Sequence, residues 1–286
     1  MKQFLFILII LSQSIETIQA HPGIGIVMDS EGNVFYTDLV HVWKISADGH
    51  RTIAVSDVHT HELYIDAEDN LFGEHEWYEG EATDKWGNYV WCLKNDGKLI
   101  TEIPAVEGFL DNNTLVRDQK GNSFWADRTD EKTLLRIESS TGQSRIFSPH
   151  EFDDIRWMYY SVFDKNLYVV DNIKIKKVSP SGNVSVITDH LKEDKAPFEG
   201  VADRHYIFGL WMDQDTNLYV AVYGAQKIVK INPSGQISTF YESPEGWSPC
   251  GGITAPDGTQ WIMEFSSSNQ TRVRAIRQDG EITGFE

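Results

Sequence analysis

Three histidines and several carboxylates lie within 22 residues of the chain, in the stretch HTHELYIDAEDNLFGEHEWYEG at residues 59–80. His59 and His61 are two positions apart, so on an extended segment their imidazoles point to the same side. Imidazole pairs suit Zn²⁺, Mn²⁺, Fe²⁺ or Cu²⁺ better than Ca²⁺. Glu74 and His75 come a few residues later, and we predict all four side chains as metal ligands.

The same imidazoles could also carry out acid–base chemistry, because histidine titrates near neutral pH. We therefore predict His61 and His75 as catalytic residues, either of which could act as a general base. The alternative is that the histidines of this stretch are solvated loop residues without a chemical role.

The elements that must position these residues form a repeat: an apolar strand, an aspartate, a turn and a strand rich in aromatic residues. Alternating apolar and β-branched or aromatic residues are typical of half-buried strands. The six copies are GIVMDSEGNVFYTD (25–38), ELYIDAEDNLFGEH (62–75), TLVRDQKGNSFWAD (114–127), MYYSVFDKNLYVVD (158–171), GLWMDQDTNLYVAV (209–222) and GITAPDGTQWIMEF (252–265).

A second strand pair follows each copy and contains a glycine turn. The turn glycines are 40 to 53 residues apart, at Gly49, Gly97, Gly142, Gly182, Gly235 and Gly280. Four strands per unit in six units predict an all-β fold, a six-bladed β-propeller with four antiparallel strands per blade. We expect no strand exchange, or at most a short one, where the first and last blades meet. The alternative, an irregular β-sandwich, does not account for six matching units.

Two of these units carry a family resemblance. GLWMDQDTNLYVA followed by KIVKINPSGQI resembles the senescence-marker protein/gluconolactonase family. GITAPDGTQWIMEF followed by VRAIRQDGEITGF resembles streptogramin (virginiamycin B) lyase and NHL-repeat propellers. The resemblance covers the chain from residue 21 onward and implies a propeller enzyme of the lactonase or lyase type, with a divalent cation at the channel mouth.

Few of the ligands that the resemblance implies are present. Asn113 stands where gluconolactonase-like proteins have a metal-binding Asn, and Glu264 matches a glutamate of streptogramin lyase. Phe208 replaces the Asp of the first family, and Cys250 or Gly251 replaces a His of the second. We therefore predict Asn113 as a metal ligand and Glu264 as a catalytic residue.

Carboxylates recur where the second strand of a unit ends. Asp38, Asp127 and Asp171 occupy this position, as does Glu264. Converging carboxylates are costly to bury without a cation, so we predict Asp127 and Asp171 as metal ligands. Oxygen ligands favour Ca²⁺ or Mg²⁺, with Zn²⁺, Mn²⁺ or Fe²⁺ possible through the histidines. The alternative is that each aspartate caps its own turn.

The segment EWYEGEATDKWGN (76–88) is predicted to be a long loop of blade 2. Acidic groups beside aromatic rings suit a cationic or sugar-like ligand, and long loops on such scaffolds tend to carry function. The alternative is a solvated surface loop.

Composition and the N-terminus limit the function classes. A net charge of −18 disfavours nucleic acids and anionic membrane surfaces as partners. Lys2, the apolar run FLFILIIL and Ala20 predict a signal peptide at residues 1–20, a single propeller domain at 21–286, and a secreted or periplasmic location. No run is long enough for a membrane span. We expect Cys92 and Cys250 to remain unpaired, and a monomer is favoured.

These observations predict an exported, metal-dependent small-molecule hydrolase or lyase that acts at the channel mouth. The alternative is a propeller without catalytic activity that binds a ligand or a protein on one face.

Overall fold

The computed structural model describes residues 22–108, 116–128, 133–194, 198 and 205–286. Within these ranges the strands form six antiparallel sheets that follow one another along the chain. The predicted six-bladed β-propeller is therefore confirmed. The predicted signal peptide, residues 1–20, lies outside the described residues.

Each blade uses consecutive strands, ordered from the inner edge to the outer edge of its sheet. Blades 1 and 2 contain β1 (Ile26–Met28), β2 (Val34–Thr37), β3 (Val42–Ile45), β4 (Arg51–Val55), β5 (Leu63–Ile65), β6 (Leu71–Tyr78), β7 (Trp86–Leu93) and β8 (Leu99–Glu107). Blades 3 and 4 contain β9 (Ser123–Asp127), β10 (Thr133–Glu138), β11 (Ser144–Phe152), β12 (Ile155–Tyr160), β13 (Leu167–Asp171), β14 (Lys174–Val178) and β15 (Val184–Thr188). Blades 5 and 6 contain β16 (Leu210–Met212), β17 (Leu218–Val222), β18 (Lys227–Ile231), β19 (Ile237–Glu242), β20 (Trp247–Thr254), β21 (Gln260–Ser266), β22 (Thr271–Ile276) and β23 (Ile282–Phe285). A short 3-10 helix, Tyr223–Ala225, follows β17.

Blade 3 shows three strands in the described residues. An isolated antiparallel bridge between Arg117 and Ser123 lies where its inner strand is expected. Residues 109–115, which precede this bridge, are outside the described ranges, and so is Asn113.

The repeat aspartates build turns. In blade 1, Asp29 accepts hydrogen bonds from the backbone N–H of Asn33 at 2.8 Å and from its side-chain amide at 2.6 Å. Asp66, Asp118 and Asp213 hold their turn asparagines in the same way. The six predicted turn glycines all have φ between 79° and 88°, a conformation that favours glycine. The most regular part of the sequence repeat is thus structural.

The hydrophobic core lies between neighbouring blades. One cluster joins Phe35 and Val42 of blade 1 to Leu71 and Trp91 of blade 2, and similar clusters join the later blades. At the junction of blades 5 and 6, Trp211 also donates its indole N–H to Gln260 at 2.9 Å. This packing fixes each blade on its neighbour and so fixes the loops at the two ends of the propeller.

Blade 2 differs from the other blades in the length of its middle strands. β6 and β7 are eight residues each, whereas the corresponding strands of blades 1, 4 and 5 have four or five. The predicted long loop 76–88 is therefore wrong in part, because β6 continues to Tyr78 and β7 begins at Trp86. Tyr78 lies directly across from Trp86, and aromatic cross-strand pairs of this kind stabilise a sheet.

Blades 1 and 6 each contain four consecutive strands, which confirms the expected absence of strand exchange at the closure. The Arg51 side chain of blade 1 donates to the Glu286 carbonyl across this junction. Cys92 and Cys250 are both free and buried, as expected. Among the described residues, no helix has the length and apolar character needed to span a bilayer.

Candidate functional site

His59 and His61 lie in the segment between β4 and β5, and the extended β6 runs beside this segment. The Glu76 N–H donates to the His59 carbonyl at 3.0 Å, and the Thr60 hydroxyl donates to the Glu74 carbonyl at 2.6 Å. The His61 N–H donates to the Glu74 carboxylate at 2.5 Å. The extra length of β6 therefore holds the two histidines in place.

The side chains of His59, His61 and Glu76 form a group that could hold a metal ion. One ligand atom from each residue lies within 4.8 Å of the others. The Glu76 carboxylate oxygens are 3.9 Å from His59 Nε2 and 3.9 Å from His61 Nδ1. The two imidazoles meet edge to face, with ring centroids 4.8 Å apart, which confirms that they share one side of the segment. The described part of the chain contains no second group of this kind.

His59 is oriented for ligation by its other ring nitrogen. Its Nδ1 lies 3.0 Å from the Leu39 carbonyl, and when neutral it donates its proton there. The lone pair is then on Nε2, the atom that faces Glu76. A backbone carbonyl behind a histidine is the usual way in which proteins fix the tautomer of a metal ligand.

Glu74 is a buried carboxyl beside this group. Burial and, to a smaller extent, the neighbouring Glu62 charge raise its pKa to about 8, against the opposite effect of the hydrogen bonds from the N–H groups of His61 and Glu62. Its Oε1 lies 3.9 Å from His61 Nδ1. Glu74 is therefore largely protonated at neutral pH, which suits a proton donor better than a metal ligand.

His75 does not belong to the group, because successive residues of a strand point to opposite faces of the sheet. Its ring stacks on Tyr89, its cross-strand neighbour, at 4.8 Å between centroids. Its Nδ1 accepts the His59 N–H at 3.0 Å. Burial and the nearby His59 lower the pKa of His75, which keeps it neutral and able to accept this bond. The structure thus places His75 behind His59, where it supports the backbone.

The same alternation explains why Glu76 is absent from the ligands predicted from the sequence. Glu76 is two residues after Glu74 and shares its face of β6, whereas the sequence interpretation treated it as part of a loop. The available signal was the period of two along LFGEHEWY, which places Glu74, Glu76 and Tyr78 on one face.

The carboxylates predicted in other blades have cationic partners of their own. Asp171 is fully buried and lies 2.5 Å from Lys176, and Asp127 lies 3.4 Å from Arg136. These aspartates are not brought to the histidine group, because each is held beside a cation of its own blade. Their predicted role as metal ligands stays a prediction without support from this geometry.

Glu264 is also fully buried, 2.7 Å from Arg272 and 3.5 Å from Arg274, and it accepts the Tyr241 hydroxyl. A catalytic role for it stays a prediction, since its charge is already matched inside the protein. Asp38 caps its own turn: it accepts the N–H groups of Val40 and His41.

The starts of the inner strands are apolar where the gluconolactonase-like ligands would stand. Ile24, Trp157, Phe208 and Cys250 belong to or pack against one hydrophobic cluster. Phe208 is completely buried, and Trp157 stacks on it with 5.4 Å between ring centroids. This aromatic closure leaves these four positions without a carboxylate, an imidazole or an amide, and the candidate centre lies to one side of it, in blade 2.

No protein-family model matches the sequence, and no curated relative matches it. Solved structures do match. The virginiamycin B lyase of Staphylococcus aureus shares 16% identity over 94% of this chain and 85% of its own, with a TM-score of 0.52. A calcium-binding regucalcin of Agrobacterium tumefaciens strain C58 shares 13% identity over 85% of this chain and 81% of its own, with a TM-score of 0.56.

A luciferin-regenerating enzyme has a TM-score of 0.61 at 16% identity, over 87% of this chain and 85% of its own. At these identities the likeness establishes the fold alone. The protein is thus a six-bladed β-propeller whose structural neighbours include lyases and a luciferin-regenerating enzyme, in agreement with the resemblance found in the sequence.

Proposed function

We propose that this protein is an exported, metal-dependent hydrolase or lyase that acts on a small molecule at the blade 2 end of the propeller mouth. The proposal rests on one observation, the convergence of His59, His61 and Glu76 beside a protonated carboxyl, Glu74. Catalytic zinc sites commonly combine three such protein ligands with an open position for water or substrate.

The donor set favours a transition metal. Ca²⁺ requires six to eight oxygen ligands, and this group offers one carboxylate and two imidazoles. Two histidines and one carboxylate suit Zn²⁺, Mn²⁺ or Fe²⁺. Tetrahedral zinc places its ligand atoms roughly 3.4 Å apart, so ligand atoms now within 4.8 Å of one another would approach by up to about 1.4 Å on binding. His59 and Glu76 have the freedom to do so, since each side chain is 38% exposed.

A bound divalent metal would polarise a carbonyl or activate water. The chain's own residues would then provide position and protons. Leu39 and His75 fix the His59 ring and backbone, as described above. Glu74 carries a proton near neutral pH and lies next to His61, so it can protonate a leaving group as a general acid.

The second candidate is a ligand-binding propeller without catalytic activity. The aromatic closure by Trp157 and Phe208 favours it, because that closure removes the axial position at which the resemblance places the metal. Under this hypothesis the metal would organise the surface of blade 2, and no substrate would be turned over.

Metal titration separates these possibilities. Zn²⁺ and Mn²⁺ are titrated by calorimetry into chelator-treated, dialysed protein and into His59→Ala, His61→Ala and Glu76→Gln. We expect one tight site in the wild type and at least a tenfold loss in each variant. His190→Ala is the matched control, because His190 is 87% exposed and lies outside the group.

A panel of lactones and esters is then tested with metal-free and metal-loaded protein. Turnover that requires the metal and Glu74 supports the enzyme. Metal binding without turnover of any class supports the binding propeller. Equal metal affinity in the wild type and the three variants would remove the proposed centre altogether.

A further inference from the structure

A cavity of about 400 Å³ lies along the axis of the propeller. Inner-strand residues of all six blades line it. In blades 2, 4, 5 and 6 the lining begins one residue after His61, Trp157, Phe208 and Cys250, none of which lines the cavity. The cavity therefore lies on the other side of the aromatic closure from the candidate metal centre and opens at the opposite end.

Most of the cavity wall is apolar. Leu63, Met158, Leu210, Trp211 and Ile253 are among the residues that line it. Ligand sites are typically cavities of roughly 300–1,000 Å³ with apolar walls and a few polar groups that fix orientation. The size and lining of this cavity meet that description.

The open end of the cavity also exposes apolar surface. Val162 and Phe163 line it there, and they are 44% and 43% exposed. They follow β12 directly, in the turn that leads to β13. Contact between these apolar side chains and water is unfavourable, and an apolar ligand that entered at this end would remove it.

Arg117 is the one cationic side chain in the described lining of the cavity. Its guanidinium lies over the rings of Tyr64 and Phe72, at 5.2 and 5.6 Å from their centroids. Its Nε is buried and, among the described residues, has no hydrogen-bond partner. Burying a guanidinium N–H without a partner is costly, so a ligand that accepted from it would be stabilised.

The carboxylates closest in sequence to this arginine and to Tyr64 are already engaged in their turns. Asp66 accepts from the N–H groups of Glu68 and Asn70 and from the Asn70 amide. Asp118 accepts from Lys120 and Asn122 in the same pattern. The guanidinium fork is therefore available for a planar anion, the partner that matches its geometry best.

Glu62 is the one acidic residue in the described lining. It directly precedes β5, on the side of the aromatic closure, whereas Arg117 of blade 3 lies towards the open end. Glu62 is next to His61, and its N–H donates to Glu74 at 3.0 Å. Charge in the cavity is thus divided, with the cation near the open end and the acid near the closure. An anionic group bound near the open end would avoid the acid.

We propose that this axial cavity is a second binding site, which takes the anion of a small carboxylic acid with an apolar chain. The carboxylate group pairs with Arg117, and the apolar chain lies inside the propeller. The site is distinct from the proposed metal centre, because none of His59, His61 and Glu76 lines the cavity. It requires no metal and no chemical step.

The experiment uses decanoate as the probe, with decanol as the uncharged analogue and decyltrimethylammonium as the cationic one. Binding to the folded protein is followed by calorimetry and by the intrinsic tryptophan fluorescence, to which Trp211 in the cavity lining contributes. We expect one decanoate to bind per protein chain, with an affinity at least tenfold higher than that of either analogue.

Three variants locate the site. Arg117→Gln should weaken decanoate binding at least tenfold, and Arg117→Lys, which keeps the charge but lacks the planar fork, should weaken it several-fold. Ile253→Trp should abolish binding of all three probes by filling the cavity. Ile253 pairs with Trp261 on β21 as Trp211 pairs with Tyr219 on β17, so this strand position already holds a tryptophan in blade 5. Arg145→Gln, an exposed arginine on β11, is the control.

Circular dichroism and thermal unfolding establish that each variant is folded, and Arg117→Lys keeps the test decisive if Arg117→Gln is unstable. Absence of decanoate binding by the wild type would overturn the proposal. So would equal affinity for decanol, unchanged affinity in Arg117→Gln, or full binding by Ile253→Trp. Removal of metal should leave decanoate affinity unchanged, so failure of this proposal and failure of the metal centre are distinguishable.

Discussion

Replacing Glu74 by glutamine should stabilise the protein in a strongly pH-dependent way. Glutamine keeps an oxygen acceptor for the N–H groups of His61 and Glu62, which bind Glu74 Oε1 at 2.5 and 3.0 Å. It removes the ionisation of a carboxyl that is buried next to Glu62. The variant therefore isolates the free energy of charging this one group inside the protein.

The size of the effect follows from the pKa of Glu74, which is about 8 in the folded protein against 4.5 for a free glutamate. Because the folded pKa is raised, the favourable contribution of the neutral carboxyl is complete below about pH 4.5 and is lost as the pH rises to about 8. Each pKa unit is worth about 1.4 kcal/mol, so the loss is about 3 kcal/mol at pH 7 and about 5 kcal/mol above pH 8. Local relaxation and water entry make these figures upper limits.

The measurement is urea unfolding of metal-free wild type and Glu74→Gln at pH 5, 6, 7, 8 and 9, followed by tryptophan fluorescence. We expect the free energies of unfolding of the wild type and the variant to differ little near pH 5 and to diverge as the pH rises to 8. Glu68→Gln, in an exposed turn of the same blade, should show no divergence. A difference that stayed constant from pH 5 to pH 9 would refute the reasoning, because Glu74 would then be ionised throughout.

Two further predictions concern groups that the sequence singled out. Asp171→Asn should lower the free energy of unfolding, measured in urea, by about 3–5 kcal/mol, because it leaves Lys176 as a buried charge without its counterion. The same substitution should leave the Zn²⁺ affinity unchanged. A loss of Zn²⁺ affinity as large as that of His61→Ala would show that Asp171 is a metal ligand. Cys92 and Cys250 should react with a thiol reagent only after unfolding, since burial raises the pKa of both thiols, and fast labelling of either in the folded protein would contradict this.

The fold was predictable because its information is local and repeated six times. Each copy brings its own turn chemistry, such as the Asp29–Asn33 pair, and its own alternation of apolar residues. A period of two places the apolar residues between blades without reference to distant parts of the chain. Six consistent local signals leave few alternatives for the whole.

The candidate site was predictable only in part, because it depends on where β6 ends. His59 and His61 were found from their spacing. Glu76 was assigned to a loop, since nothing in the sequence of one strand shows that its partner also extends; pairing from Tyr78 to Trp86 does so in the structure. The sequence also could not reveal that Asp171 and Glu264 face cations, because Lys176 and Arg272 reach them from the neighbouring strand of the same blade.

The position of the candidate centre follows from the cost of burying charge. At the axis, Phe208 and Trp157 pack against each other, and an ionised ligand there would lose its hydration without a partner. Blade 2 avoids this cost by extending β6 beyond the length of its counterparts, which carries Glu76 to a point where its side chain is 38% exposed. Water can then complete the coordination of an ion and leave a position for substrate, which the fully buried Glu264 could not allow. The longer hairpin of blade 2 therefore places the candidate centre beside the axis, while the axis itself stays apolar.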